Sequence, residues 1–214
     1  MAIKVFMVDD HALVRTGMRM ILSNEVDIQV VGEAETGEQA LPMIRQLEPD
    51  VVLCDLHLPG ISGLEVTERI TRAGRGPRVI MVSVLEDGPL PKRLLEAGAR
   101  GYVGKGGDAA ELLRAVREVA RGKRYLGGNV AQNMALSGIG GGTPLDALSD
   151  REVEIAMLLV QGLRQQEIAE RLCLSPKTVN THKARLFRKL QVEDSIALTR
   201  LLQQYGVVDP ANAA

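Results

Sequence analysis

Three acids, a hydroxyl and an ammonium group stand at telling places in the first half of this sequence: Asp9, Asp10, Asp55, Ser83 and Lys105. Each lies at the end of a short apolar run or just past it. IKVFMV precedes Asp9 and Asp10, VVLC precedes Asp55, VIMV leads into Ser83, and Gly101 to Val103 comes just before Lys105. If those runs are strands of an open parallel sheet, the five side chains converge outside its carboxyl edge, where such sheets bind ligands. Three carboxylates meeting there repel one another unless a cation neutralises them. Mg2+ suits oxygen ligands of this kind and tends to share its site with a phosphate. Ser83 and Lys105 would then hold a phosphoryl group. The joint pattern is far more specific than its members, because a lone Asp after a strand is usually a turn or a helix cap.

The runs alternate with helix-period segments, as a parallel sheet covered on both faces requires. Strands are predicted over Ile3 to Val8, Ile28 to Val31, Val51 to Cys54, Val79 to Val82 and Gly101 to Val103. Helices are predicted near 12–23, 37–47, 63–73, 89–97 and 108–121, which makes a (βα)5 flavodoxin-like domain with strand order 2-1-3-4-5. His11 reads as the start of the first helix. Ser137 to Pro144 (SGIGGGTP) reads as a flexible linker. Beyond it, segments 149–161, 165–172, 176–190 and 194–205 read as four helices of a small all-α domain.

The 214 residues suffice for two domains at roughly 100–200 residues each, and 45% hydrophobic content fills their cores. A net charge of −1 excludes a globally basic nucleic-acid binder, and 2% aromatics without Trp excludes stacking platforms for single strands. Cys54 and Cys173 stand far apart with no CxxC spacing, so both read as buried thiols in a reducing cytoplasm. No run reaches about 18 apolar residues, which disfavours a membrane span.

Charge is localised in the second half. Lys177, Lys183, Arg185, Arg188 and Lys189 fall on one predicted helix that carries no acid. Ser175 and Pro176 start that helix at the cap and first positions, and Ser149 with Glu152 makes a capping box for an earlier one. Gly162 terminates that earlier helix. Val179, Leu186, Phe187 and Leu190 share the apolar face, leaving Lys177, Asn180, Thr181, Ala184 and Arg188 opposite. The short helix before it, joined by Leu174 and Ser175, completes a helix-turn-helix. Its exposed face offers a base reader, a methyl group and phosphate-binding cations, as a major-groove helix needs.

Over residues 1–125, DLHLPGISGLE (Asp55 to Glu65) and AGARGYVGK (Ala97 to Lys105) resemble the receiver domain of two-component response regulators. The resemblance implies that Asp55 accepts a phosphoryl group from a sensor histidine kinase. It implies further that Asp10, Asp55 and the backbone carbonyl of His57 ligate Mg2+, with Asp9 acting through water. Lys105 would pair with the phosphoryl oxygens, Ser83 would hydrogen-bond one of them, and Tyr102 would be the switch aromatic. Over residues 146–208, LSDRE, EIAERLCLSPKTVNTH and RKL resemble the LuxR-type helix-turn-helix of NarL/FixJ regulators, and LCLSPKTVNTH with RLLEAGARGY is similar to the GacA/UvrY type. By that resemblance Asn180, Thr181 and Ala184 face the bases of duplex DNA. Lys177, Thr178, His182, Lys183 and Arg185 contact its backbone, with Arg188 and Lys189 on the same basic helix. The resemblance implies that part of the last helix dimerises on DNA while the rest packs within the four-helix unit, and a homodimer is expected when the protein is phosphorylated or DNA-bound.

The organisation expected is a receiver over 1–125, a linker over 126–145, a DNA-binding domain over 146–208 and a tail over 209–214. The function expected is a phosphorylation-controlled transcription factor, not an enzyme beyond its own phosphoryl transfer and dephosphorylation. A Mg2+-dependent phosphohydrolase is the alternative, but His57 stands where its general acid would be and no segment is long enough for a substrate lid. An interaction-only adaptor is a third reading. The glycines near Lys105 make no P-loop, since Gly106 replaces the required Ser or Thr.

Overall fold

The computed structural model describes residues 2–74, 76–84, 90–139, 144–172 and 174–204. They form two compact units that divide within one helix, between Ala131 and Gln132.

In the first unit, β1 (Ile3–Val8), β2 (Ile28–Ala34), β3 (Val51–Asp55), β4 (Arg78–Ser83), β5 (Gly101–Gly104) and β6 (Tyr125–Leu126) form one parallel sheet. The order is β2-β1-β3-β4-β5-β6, the predicted doubly wound order with a sixth strand added. Between the strands run α1 (Ala12–Ser23), α2 (Gly37–Leu47), α3 (Gly63–Arg72), α4 (Leu90–Glu96) and α5 (Ala109–Ala120). All five residues of β3 are buried, as a central strand covered on both faces demands. Val5 and Met7 of β1 pack in one cluster with Met18 and Leu22 of α1 and with Leu112, Ala115, Val116 and Val119 of α5. Strand alternation sends Phe6 and Val8, also buried, to the opposite face. Thr36, Ser62 and Asp108 cap α2, α3 and α5, each accepting a backbone N–H, which fixes where the chain turns after a strand.

The structure departs from the sequence reading just past the fifth helix. Tyr125 and Leu126 pair with Gly101 and Tyr102 as β6, and α6 (Gly128–Ile139) follows where a linker from 126 was expected. A two-residue strand has no period to detect, and α6 starts at Gly128, the second glycine of a Gly-Gly pair that reads as a breaker. The linker glycines from Gly140 to Gly142, Cys173 and the tail 209–214 lie outside the described residues. Cys54 is buried, as expected.

The second unit contains α7 (Asp150–Val160), α8 (Gln165–Arg171), α9 (Pro176–Leu190) and α10 (Ser195–Gln204) after a 3-10 turn at Pro144–Ala147. The capping box of Ser149 and Glu152 starts α7, and Gly162, at φ 81°, follows its end in the left-handed region that favours glycine. Val153, Ile155, Leu158, Ile168, Leu172, Val179, Leu186, Leu198 and Leu202 are buried in its core. Among the described residues, no helix is long and apolar enough to cross a membrane.

Candidate functional site

The carboxyl edge of the sheet gathers the residues that the strand ends deliver. Asp9 follows β1, and its N–H donates to Ala34 O at the end of β2, at 3.1 Å. Asp55 is the last residue of β3 and Ser83 the last of β4. Just past β5, the Lys105 N–H donates to Ser83 O at 2.8 Å. These anchors bring Lys105 Nζ to 2.7 Å from Asp55 Oδ2 and 2.8 Å from Asp9 Oδ2. Asp9, Asp55, Ser83, His57 and Tyr102 are all buried, whereas Asp10 is partly open to solvent. The Gly63 N–H donates to Leu56 O, and a Cβ at Gly63 would stand 2.0 Å from Asp55 O. Only glycine lets α3 begin directly against the backbone of Asp55, a close approach that the sequence pattern does not announce.

Burial dominates the electrostatics. Desolvation pushes the Asp55 carboxyl up to about 6, with Lys105 opposing and Asp9 reinforcing the rise. The His57 backbone N–H also hydrogen-bonds the Asp55 carboxylate and favours its charged form. Burial pulls Lys105 down, but the carboxylates of Asp55 and Asp9 outweigh it and hold the ammonium above its ordinary value. Desolvation drives the Cys54 thiol well above its usual range, which leaves it inert as a nucleophile.

Ligand atoms of Asp9, Asp10, His11 and Asp55 lie within 4.8 Å of one another. Asp9 Oδ2 and Asp10 Oδ1 are buried oxygens that lie 2.8 Å from Lys105 Nζ and 2.7 Å from His11 Nδ1. A hard divalent cation fits such an oxygen-rich donor set. His11 is the N-cap residue of α1, as its predicted place required, yet its ring also closes this cluster, a role the sequence reading did not give it.

In the second unit, α9 turns the predicted face outward. Lys177, Asn180, Thr181, Ala184, Arg185 and Arg188 are exposed, Val179 and Leu186 are buried, and Phe187 and Leu190 are half-buried. Ser175 caps α9 and its hydroxyl pairs with that of Thr178 at 2.8 Å. Lys183 Nζ lies 5.2 Å from the centre of the Phe187 ring. His182 is half-buried; its Nδ1 has no hydrogen-bond partner, and burial holds the imidazole below its usual value. Lys189 differs from the other cations: its Nζ reaches the buried Glu152 of the α7 capping box at 2.6 Å. One cation counted for DNA thus has a partner inside its own unit.

Comparison with known proteins agrees with both halves. Residues 5–117 match the response regulator receiver domain, and residues 146–202 match the bacterial regulatory proteins of the luxR family. The chain is 44% identical to the response regulator GacA of Pseudomonas aeruginosa, over 98% of this chain and 100% of the relative. It is 43% identical to the response regulator UvrY of Escherichia coli, over 96% of this chain and 95% of that one. Among solved structures, RcsB of Salmonella enterica serovar Typhimurium, bound to a promoter with the phosphomimetic BeF3-, is 27% identical with a TM-score of 0.68, covering 95% of this chain and 100% of that chain. The response regulator ChrA of a heme-sensing two-component system is 34% identical with a TM-score of 0.56, covering 97% of this chain and 99% of that chain. With both domains matched in order and curated relatives aligned over nearly its whole length, the chain belongs to the two-component response regulators of the LuxR family.

Proposed function

We propose that Asp55 is the phosphoacceptor of this regulator and that its phosphorylation by a sensor histidine kinase controls binding of α9 to duplex DNA. The observation that carries this reading is the buried Asp55 carboxylate held 2.7 Å from Lys105, with Asp9 on the other side of the ammonium and Ser83 at the next strand end. An Asp55 oxygen attacks the phosphorus of the donor, the P–N bond breaks, and the imidazole leaves and takes up a proton. Lys105 then pairs with phosphoryl oxygens, and Ser83 hydrogen-bonds one of them. Asp10, Asp55 and the backbone carbonyl of His57 would hold Mg2+, with Asp9 acting through water. Bound there, the ion would supply positive charge against the negative charge of the phosphoryl group. Tyr102 is the aromatic switch that couples Ser83 to the neighbouring surface.

The receiver spans 1–125, β6 and α6 lead on from it to the DNA-binding domain over 146–208, and the tail is 209–214. Asn180, Thr181 and Ala184 face the bases, while Lys177, Thr178, His182, Lys183, Arg185 and Arg188 supply backbone contacts, with Lys189 bordering them. The regulator works as a homodimer on DNA in the cytoplasm, where its duplex partner lies. The test measures promoter affinity of the full chain with and without acetyl phosphate. Wild type gains affinity and Asp55→Asn does not; an Asp55→Asn protein with the same gain overturns the reading.

A further inference from the structure

Arg15 occupies an unexpected place. Arg15, Met18 and Leu22 are the buried residues of α1 and form one stripe against the sheet. Met18 and Leu22 fill their positions with apolar groups, whereas the first, nearest the acidic pocket, is filled by a guanidinium only 7% exposed. Burying that charge is costly unless its donors are used. Arg15 Nη1 donates to the backbone carbonyl of Asp9 at 2.6 Å, and Nη2 pairs with Glu35 Oε1, just past the end of β2, at 2.6 Å. The Asp9 N–H is already held by Ala34 O at the same strand end. Asp9 is therefore gripped at both of its backbone polar atoms. Its carbonyl shares a rigid peptide plane with the Asp10 N–H, so Arg15 sets the plane from which the Asp10 side chain departs.

We propose that Arg15, clamped by Glu35, is a positioning residue that holds the Asp9-Asp10 peptide and thereby sets the affinity of the acidic pocket for a divalent cation. The proposal rests on reading that pocket as a cation site. Groups that orient metal ligands typically change affinity about 10–100-fold when removed. Simple Coulomb attraction predicts the opposite sign, because deleting a positive charge beside a cation site tightens binding.

The experiment is a calorimetric Mg2+ titration of the full chain as wild type, Arg15→Met, Arg15→Lys, Glu35→Gln and Asp10→Asn, with thermal unfolding in the absence of Mg2+ as the check on folding. Arg15→Met weakens Mg2+ binding about tenfold or more. Arg15→Lys recovers part of the loss, since an ammonium satisfies one of the two partners. Glu35→Gln, at an exposed side chain and safe for folding, weakens binding less than Arg15→Met. If Arg15→Met fails to fold, Arg15→Lys, which keeps the charge and changes only the geometry, decides in the same way. Mg2+ affinity that is unchanged or tighter in the folded variants overturns the role of Arg15. A wild type that binds no Mg2+, or an Asp10→Asn protein that binds like wild type, overturns the cation reading of the pocket and the proposal with it.

Discussion

Lys105 Nζ lies 2.7 Å from Asp55 Oδ2, and the same ammonium contacts Asp9 Oδ2 at 2.8 Å. It is the charge that keeps two buried carboxylates close together, and it opposes the upward push of burial on Asp55. Removing it while keeping its volume leaves desolvation and Asp9 to act alone. In metal-free Lys105→Met, the Asp55 titration midpoint therefore moves above about 6. Carboxyl carbon NMR across pH 4 to 9 measures the shift, and an unmoved midpoint would show that the ammonium is not coupled to Asp55.

Asp55 also makes the fold pH-sensitive. Its folded value, about 6, lies above the ordinary 3.8, so the folded state binds the proton more tightly than the unfolded chain. The stability this contributes is fully present below 3.8 and is lost as pH rises through about 6. The loss is about 3 kcal/mol at most, at 1.36 kcal/mol per pH unit of difference. Without divalent cation, Asp55→Asn is thus more resistant to urea than wild type at pH 7. The gap between them closes toward pH 4. A gap that stayed constant with pH would assign the effect to packing.

Much of the positioning was legible because burial leaves periods in sequence. The four strand ends that carry Asp9, Asp55, Ser83 and Lys105 emerge from apolar runs, and α9 exposes the face its spacing predicts. What escaped was tertiary. The close approach of Gly63 to Asp55 O depends on where α3 packs, and no local pattern marks it. The guanidinium of Arg15 enters the core only because Glu35 and the Asp9 carbonyl meet it there. His11 joins the acidic cluster through a ring orientation that no spacing encodes. A basic run likewise does not reveal which of its cations has found an acid in its own unit.

Lys189 is that cation. Its partner Glu152 is buried, closes the capping box of α7 and accepts the Ser149 N–H at 2.8 Å. Burial pushes Glu152 up, but the hydrogen bonds from Lys189 and Ser149 outweigh it and hold the carboxyl below its ordinary 4.5. The stability gained is present above pH 4.5 and is lost as pH falls below it. Lys189→Met therefore lowers stability of the second unit by about 1–2 kcal/mol at pH 7. That deficit shrinks on acidification below 4.5, as urea titrations at pH 7 and pH 3.5 will measure. An equal deficit at both pH values would exclude the ion pair as its source.

The exposed face of α9 carries two kinds of side chain, which the proposed DNA contact would use differently. Asn180 carries an amide able to bond a base edge bidentately, whereas Arg188 presents a guanidinium suited to phosphate. Loss of a base contact reduces discrimination at one position by about 1–3 kcal/mol per base pair. Loss of a phosphate contact weakens all sequences alike and reduces the slope of log affinity against log salt by about 1. Asn180→Ala should therefore flatten base preference and keep the salt slope, while Arg188→Ala should do the reverse. Competition binding with randomised duplexes at several salt concentrations reads both quantities from one set of titrations. Identical profiles for the two variants would mean that α9 does not divide its contacts between base edges and phosphates.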